Sequence, residues 1–287
     1  MGINGILLLD KEEGWTSQDC AAKLRGVLGE RRVGHAGTLD PMATGLLVIL
    51  AGRATRAAAW AEAEVKEYVA SFRPGIVTDT QDTTGRILRR SDDVPSREQM
   101  QAALPLFTGR IEQIPPMYSA VKIRGKKLYE IARRGGEVER APRPVTIHSI
   151  DYLGSDGTDH ILRIRCSKGT YIRTLCHDIG EALGCGGCMA ALRRTASGSF
   201  RVEDARTIGT ITRENAHILP IDVLFQDAPP MTLTEAQTRH CRCGSAFSSD
   251  APDGEKRFYA PDGSFLALGT VENGRARTIK SFFEVDR

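Results

Sequence analysis

A polar segment punctuated by glycines carries the residues best suited to chemistry. Residues 34–45 read GHAGTLDPMATG and contain one acid, Asp40, near the middle. Glycine adopts backbone conformations closed to other residues, and Pro41 pushes the preceding Asp40 towards an extended backbone. The segment therefore predicts a stiff loop that aims a carboxylate, although the same residue types are also typical of an ordinary surface turn.

Two further segments carry candidate functional side chains. Residues 167–174 read SKGTYIRT and place Tyr171 and Arg173 at the corner between a predicted strand and a predicted helix. Arg173 could be an exposed cation on the helix surface, or it could pair with a carboxylate from another part of the chain. Tyr68 lies in KEYVASF, a predicted strand in which an aromatic residue is expected for packing alone.

The surrounding sequence predicts the elements that position these loops. Apolar runs and alternating patterns predict strands at residues 5–9, 46–50, 66–72, 145–153 and 160–166. Capping residues and helix-forming composition predict a helix from Thr16 or Ser17 to residue 28, and others at residues 53–64, 97–106 and 128–134 and ending near 183. Helices mixed with hairpin-like strand pairs indicate an α+β fold rather than a doubly wound parallel sheet.

The C-terminal part reads as a separate small β unit. Residues 220–230 contain three prolines and are typical of a connector. Beyond them, short apolar runs are separated by Asp262-Gly263 and Asn273-Gly274, which favour hairpin turns. The sequence therefore predicts a larger domain at residues 1–225 and a smaller antiparallel β domain at residues 228–287.

The positive charge of the chain is concentrated in one segment. The net charge is +3, yet from Ala228 onward eight basic residues balance eight acids. Residues 122–143 hold eight basic residues against three acids, which is the pattern of a phosphate-binding surface, although a merely solvated face has the same composition. We therefore predict a basic nucleic-acid-binding insertion near residues 117–145.

Several classes of protein are disfavoured. The chain has no Gly-x-x-x-x-Gly-Lys-Ser/Thr or Gly-x-Gly-x-x-Gly motif for nucleotide cofactors. Cys185 and Cys188 form one close pair and Cys241 and Cys243 another, but a zinc site would need pairs from different predicted domains to meet, so we expect no metal. No apolar run reaches the length of a membrane span or a signal peptide, so we expect a cytoplasmic protein that does not bind membranes.

In order and spacing, residues 34–45, the K-x-Y of Lys66–Tyr68 and the SKGTYIRTLCHDIG of residues 167–180 resemble the bacterial TruB-type tRNA pseudouridine synthases. The likeness extends to LLLDKEEGWTS near the N-terminus, where Glu12 replaces the usual proline, and to LRRTASG at residues 192–198. It implies a central mixed, mainly antiparallel sheet flanked by helices, and a small PUA-like C-terminal domain. The implied activity is conversion of uridine 55 in the tRNA T-loop to pseudouridine, with a possible second role in tRNA folding.

The resemblance also implies roles for seven residues, three in catalysis and four in substrate binding: Asp40, Tyr68 and Arg173, and His35, Lys11, Tyr171 and Leu192. Asp40 would be the catalytic carboxylate, Arg173 would pair with it, and Tyr68 would stack on the target base and handle a proton. Tyr171 and Leu192 would line the pocket. His35 and Lys11 would help to hold the rearranged T-loop.

The implied reaction suits these residue types. It breaks the bond from C1′ to N1 and joins C5 to C1′, so it needs no cofactor, and we expect tRNA to be the partner of a monomer that requires no other protein. The carboxylate could attack C1′, attack C6 or abstract a 2′ proton, and the sequence does not distinguish these routes. Two other hypotheses are a non-catalytic RNA-binding or folding factor and a zinc-dependent RNA-binding protein.

Overall fold

The computed structural model describes residues 2–123 and 125–284. Arg124, within the predicted basic insertion, and the outermost residues of the two predicted domains, Met1 and residues 285–287, lie outside the described residues. None of the helices formed by the described residues is long and apolar enough to cross a membrane.

Helices and strands alternate irregularly along the first two thirds of the chain. The elements up to residue 182 are β1 (Gly5–Lys11), α1 (Ser17–Leu28), β2 (Val33–Ala36), β3 (Thr44–Ala51), α2 (Ala58–Ala61), β4 (Val65–Pro74), β5 (Ile76–Thr78), β6 (Ile87–Arg90), α3 (Arg97–Ala103), β7 (Gly109–Gln113), β8 (Lys122–Ile123), β9 (Lys126–Lys127), α4 (Leu128–Ala132), β10 (Arg143–Asp156), β11 (Asp159–Ser167) and α5 (Ile172–Ala182). The remaining elements are β12 (Gly187–Ser197), β13 (Phe200–Arg201), β14 (Arg206–Thr207), β15 (Pro230–Thr232), α6 (Glu235–Arg242), β16 (Phe247–Ser248), β17 (Gly254–Tyr259), β18 (Phe265–Glu272) and β19 (Arg275–Ser281).

A ten-stranded sheet forms the centre of the larger part of the molecule. Its strand order is β14-β1-β3-β12-β4-β11-β10-β7, with β2 added to β3 and β13 added to β12. The β1–β14 and β3–β12 pairings are parallel, and the other pairings along the sheet are antiparallel. The predicted α+β fold with a mixed, mainly antiparallel sheet is confirmed.

Helix α1 begins and ends at its predicted residues because both ends are capped. The Thr16 hydroxyl accepts from the backbone N–H of Asp19, and the Asp19 carboxylate accepts in return from the backbone N–H of Thr16. Gly29 closes the helix in the left-handed conformation, with φ of 61°. The helix packs its apolar face, including Leu24 and Leu28, against the sheet.

Helix α5 carries Arg173 and lies directly against the start of β12. A side chain at Gly180 of the helix would place its Cβ 2.3 Å from the backbone nitrogen of Gly187, so the close approach requires glycine there. Leu175 and Ile179 pack into the core beneath the sheet. The N-terminus of α5 is thereby fixed relative to the strands that carry the other candidate residues.

Of the predicted helix at residues 53–64, only residues 58–61 are α-helical, and residues 62–64 are not helical. The structure has a 3₁₀-helix at Gly52–Ala57, followed only by the four-residue α2. Alanine favours helix, but neither segment has a side-chain hydrogen bond at its N-cap. Short uncapped helices depend on tertiary packing, and here Ala54, Ala57 and Ala61 pack into the core.

The C-terminal residues form a second, five-stranded sheet in the order β15-β17-β18-β19-β16. Both predicted hairpin turns are confirmed, since Asp262-Gly263 joins β17 to β18 and Asn273-Gly274 joins β18 to β19. Asn273 and Gly274 have φ of 51° and 73°, the left-handed values that a two-residue hairpin turn requires. The β15–β17 pairing is parallel, so the unit is not purely antiparallel as predicted.

The two sheets are joined through the segment at residues 221–225. Phe225 packs against Phe265 and Phe282 of the C-terminal part, with ring centroids 6.0 and 5.7 Å apart. The Tyr259 hydroxyl donates a 2.6 Å hydrogen bond to Oδ2 of Asp222. Burial, reinforced by this hydrogen bond to a carboxylate, raises the pKa of Tyr259 to about 12.

The raised pKa gives the junction a testable pH dependence. A folded-state pKa above the unfolded value of about 10 means that the stabilisation is complete below about pH 10 and is lost as the pH rises towards 12. We expect Tyr259→Phe to lower the free energy of unfolding by about 1 kcal/mol at neutral pH, and the difference from the unsubstituted protein to narrow between about pH 10 and 12. Urea unfolding at a series of pH values measures this. Tyr129→Phe is the control, because the hydroxyl that it removes contacts Nζ of Lys127 rather than a carboxylate. A difference that stays constant would contradict it.

Candidate active site

A cavity of about 230 Å³ opens between the loop at residues 37–40 and the N-terminus of α5. Its walls also include Lys66 and Tyr68 of β4, residues 118–120 and Leu192 of β12. These segments are far apart in sequence, and the main sheet brings them together because β12 lies between β3 and β4.

Asp40 and Arg173 form an ion pair at this cavity. Nε of Arg173 lies 2.9 Å from Oδ2 of Asp40. The Arg173 side chain is only 6% exposed, whereas the Asp40 side chain is 40% exposed, so the carboxylate faces the cavity while the guanidinium is buried behind it. Arg173 is therefore not an exposed helix cation, and its guanidinium holds an accessible carboxylate in place through a charge-assisted contact.

The remaining donors of Arg173 are held by two segments of the chain, at residues 80–82 and at Tyr118. The sequence did not assign either contact to the site. Nη1 donates to the carbonyl of Thr80 at 3.0 Å and lies 3.7 Å from Oδ2 of Asp82, while Nη2 donates to the carbonyl of Tyr118 at 2.9 Å. Asp82 is itself buried and accepts hydrogen bonds from the backbone and hydroxyl of Thr84. The only signal in the sequence was an unusually polar run, TDTQDTTG, after a strand.

Tyr68, Leu192 and Tyr171 all line the cavity. Tyr68 and Leu192 are each 8% exposed and lie on the adjacent strands β4 and β12. The backbone of Tyr171 is held by Gln113, which accepts from its N–H at 3.0 Å and donates to its carbonyl at 3.3 Å. The aromatic and aliphatic side chains give the cavity the apolar surfaces that a flat ring could occupy.

The loop that carries Asp40 is fixed from behind. The Ser17 hydroxyl accepts from the N–H of Leu39 at 2.9 Å and donates to the Leu39 carbonyl at 3.1 Å. Arg194, which is buried on β12, donates from Nη2 to the carbonyl of Gly37 at 2.9 Å and from Nε to the carbonyl of Leu46 at 2.7 Å. The carboxylate is thus presented by an anchored loop, as its glycines and Pro41 predicted.

Lys11 and His35 lie behind the cavity rather than on its wall. Lys11 is 1% exposed, and its Nζ donates to the carbonyls of Glu12, Trp15 and Pro41 at 3.0, 2.7 and 3.2 Å. His35 is half-buried on β2, and burial lowers its pKa. Their substrate-binding roles stay predictions, and the contacts of Lys11 favour a role in holding the Asp40 loop.

We expect Lys11→Met to lower the free energy of unfolding by about 2–3 kcal/mol, because three carbonyls lose a charged donor that is itself buried. Urea unfolding measures this effect. RNA affinity should stay nearly unchanged in a filter-binding assay, because the ammonium is not exposed to the cavity. A large loss of affinity in a protein of normal stability would instead support direct substrate binding by Lys11.

The cysteines provide no metal centre in the part of the chain that the structure describes. All seven are free thiols. Across residues 2–123 and 125–284, no group of three or more His, Cys, Asp or Glu side chains is placed to hold a metal ion. Burial raises the pKa of the Cys188 thiol to about 11, which keeps it protonated and suits a packing role.

Known proteins match nearly the whole length of the chain. Residues 25–172 match the family model of the TruB family pseudouridylate synthase N-terminal domain, and residues 173–226 match that of the tRNA pseudouridylate synthase B C-terminal domain. A tRNA pseudouridine synthase B from Francisella philomiragia subsp. philomiragia is 38% identical over 294 residues, covering 100% of this chain and 97% of the relative. Another from Dechloromonas aromatica is 42% identical over 278 residues, covering 95% and 93%.

Among solved structures, a chain of an H/ACA ribonucleoprotein bound to a substrate RNA containing 2′-deoxyuridine superposes with a TM-score of 0.71. The match covers 98% of this chain and 85% of the other at 23% sequence identity, so it shows a shared fold.

Proposed function

Because the chain belongs to the TruB family of pseudouridylate synthases, we propose that it converts uridine 55 in the T-loop of tRNA to pseudouridine. The relatives that match nearly the whole chain are named tRNA pseudouridine synthase B, which supports tRNA as the substrate. We propose that the protein acts in the cytoplasm as a monomer, without a cofactor or a protein partner.

The observation that carries the proposal is the 2.9 Å ion pair of Asp40 and Arg173 in a cavity lined by Tyr68. Isomerisation of uridine transfers no electrons and consumes no energy source, so one positioned carboxylate can suffice. Asp40 starts the reaction, by attack on C1′ or C6 or by removal of a 2′ proton. The buried guanidinium holds the carboxylate in a fixed orientation at the point where the loop places it in the cavity.

The cavity also suits a base that has left its stack. A uridine within the T-loop must be extruded before its C1′ can reach the carboxylate in the cavity. Tyr68 then offers an aromatic face and Leu192 an aliphatic one, replacing the neighbours that the base has lost. The detached uracil has to rotate before C5 meets C1′, and a ring held between these two faces can turn in its own plane.

Exposed cations near the cavity supply contacts for the RNA backbone. Residues 118–120, at the start of the predicted basic insertion, line the cavity. Five basic side chains of that insertion are exposed: Lys122, Lys126, Arg133, Arg134 and Arg143. We propose that they bind phosphates of the T-arm, which gives affinity without reading sequence.

The test is to map pseudouridine in tRNA from cells that lack the gene and from cells in which it is restored. The proposal expects the modification at position 55 to disappear and return, while other pseudouridines persist. Purified protein should also modify a transcribed T-arm hairpin without any added cofactor. Unchanged modification at position 55 in the deletion strain would overturn the proposal.

We further propose that the chain divides into a catalytic domain at residues 1–225 and a PUA-like domain at residues 228–287. The five-stranded C-terminal sheet and the short contact through residues 221–225 support this division. A role in tRNA folding stays a prediction.

A further inference from the structure

Arg194 is a buried cation, and the proposed reaction does not explain why its charge is placed beside the cavity. It lies on β12 directly opposite Tyr68 of β4, and it is 1% exposed. Burial of a guanidinium is costly unless its donors are satisfied. Arg194 nevertheless has no carboxylate partner in the described part of the chain, so its burial calls for another explanation.

Two backbone carbonyls fix the plane of the guanidinium and leave one nitrogen over. Nε donates to Leu46 and Nη2 to Gly37, while Nη1 is buried and has no well-formed hydrogen bond within the described residues. A Cβ added at Gly37 would lie 3.3 Å from Nη1, which places this nitrogen just behind a residue of the cavity wall. An unsatisfied buried donor is therefore held in a fixed direction beside the site.

The side chain paired with Arg194 across the two strands is Tyr68, which lines the same cavity as Gly37. Burial raises the pKa of Tyr68, and the nearby Cys166 and Asp40 raise it further, whereas the charge and close contact of Arg194 lower it. Lys66 is a second buried cation beside Gly37, with Nζ 3.4 Å from the same Cβ position. Of the groups that face the hydroxyl, Arg194 is the one that favours its ionisation.

We propose that Arg194 is a positioning residue for proton transfer by Tyr68: its spare Nη1 donates to the tyrosine oxygen while that oxygen exchanges protons with the uracil. The inference rests on the proposed pseudouridine synthase function.

The final step of that reaction requires such an exchange. Joining C5 to C1′ leaves the original hydrogen on C5, while N1 has lost its substituent, so C5 must lose a proton and N1 must gain one. Both atoms are bonded to C6, so one hydroxyl beside that edge of the ring reaches both. The Tyr68 oxygen gives its proton to N1 and takes the proton from C5, with no change in total charge or oxidation state. Negative charge builds on the oxygen during the exchange, and a preorganised buried donor stabilises it.

Arginine suits this role better than lysine. Two nitrogens of the planar guanidinium bind backbone carbonyls and thereby fix the position of the third nitrogen. An ammonium at the end of a flexible chain could not make the same three contacts. We therefore expect Arg194→Lys to retain the charge and only part of the rate.

The test combines Arg194→Met and Arg194→Lys with 3,5-difluorotyrosine at position 68, which has a more acidic hydroxyl than tyrosine. Single-turnover rates are measured at saturating T-arm RNA, with folding checked by circular dichroism. We expect Arg194→Met to slow pseudouridine formation roughly 10²-fold with little change in RNA affinity. Fluorination should then restore about tenfold in rate, because it supplies the acidity that Arg194 provided. A loss caused by misplaced backbone would not respond to the acidity of Tyr68.

Arg193→Met is the matched control, since it removes the neighbouring arginine, which pairs with Asp10 at 3.0 and 2.7 Å. Fluorination at position 68 should not raise its rate. Failure of fluorination to raise the rate of Arg194→Met, or of Arg194→Lys if the methionine variant does not fold, overturns the inference. An inactive unsubstituted protein would instead overturn the proposed function, so the two failures are distinguishable.

Discussion

Asp40→Asn is expected to slow pseudouridine formation roughly 10⁴-fold or more while leaving RNA affinity nearly intact. The amide keeps the shape of the side chain but is neither a nucleophile nor a base, so every proposed route fails at its first step. The Asp40 side chain is 40% exposed and its loop is held by Ser17 and Arg194, so the fold should persist. Release of tritium from tRNA labelled at C5 of uracil measures the rate, and filter binding measures the affinity.

Asp151→Asn is the control, because it makes the same chemical change at an exposed position on β10. It should retain the full rate. Turnover by Asp40→Asn close to that of the unsubstituted protein would exclude Asp40 as the catalytic group. The same inactive variant also separates modification from any tRNA-folding role, since refolding of a misfolded tRNA can be followed in the absence of turnover.

Arg173→Lys is expected to lower the catalytic rate by roughly 10²- to 10³-fold, although the charge is conserved. One guanidinium now contacts Asp40, Asp82 and two backbone carbonyls, and an ammonium cannot replace all four contacts. A single ammonium would not satisfy both the buried Asp82 and the two carbonyls, so the free energy of unfolding should also fall by about 2–4 kcal/mol. Single-turnover kinetics and urea unfolding measure the two effects.

Arg163→Lys provides the comparison, since Arg163 is exposed on β11. It should change neither the rate nor the stability appreciably. An Arg173→Lys protein with a normal rate would show that the ion pair is structural and that Asp40 needs no oriented partner.

Local signals in the sequence were sufficient for several parts of the site. The glycines and Pro41 predicted a stiff loop around Asp40, and the reciprocal bonds of Thr16 and Asp19 follow from capping chemistry. The Asn273-Gly274 turn was likewise predictable, because few residue pairs tolerate two successive left-handed conformations. Each of these features depends on residues that are neighbours along the chain.

Contacts between segments that are distant in sequence could not be predicted in this way. Asp82 and Tyr118 reach Arg173 only because a loop and the base of the basic insertion converge on the N-terminus of α5. Arg194 meets Tyr68 because β12 and β4 pair in one particular register, and a shift of one residue would turn its side chain to the other face. The resemblance to a family suggested Arg173 as the partner of Asp40, but composition and spacing did not.

The contacts of Arg173 also affect how the enzyme loses activity when it begins to unfold. Its four hydrogen-bond and ionic contacts come from three separate segments, at Asp40, at residues 80–82 and at Tyr118. A fluctuation that detaches one segment removes one of the contacts that hold the guanidinium. Because all three segments share this guanidinium, their local openings are coupled. We therefore expect activity to depend on the weakest of the three attachments, and mild denaturing conditions to inactivate the molecule while its sheets are still intact.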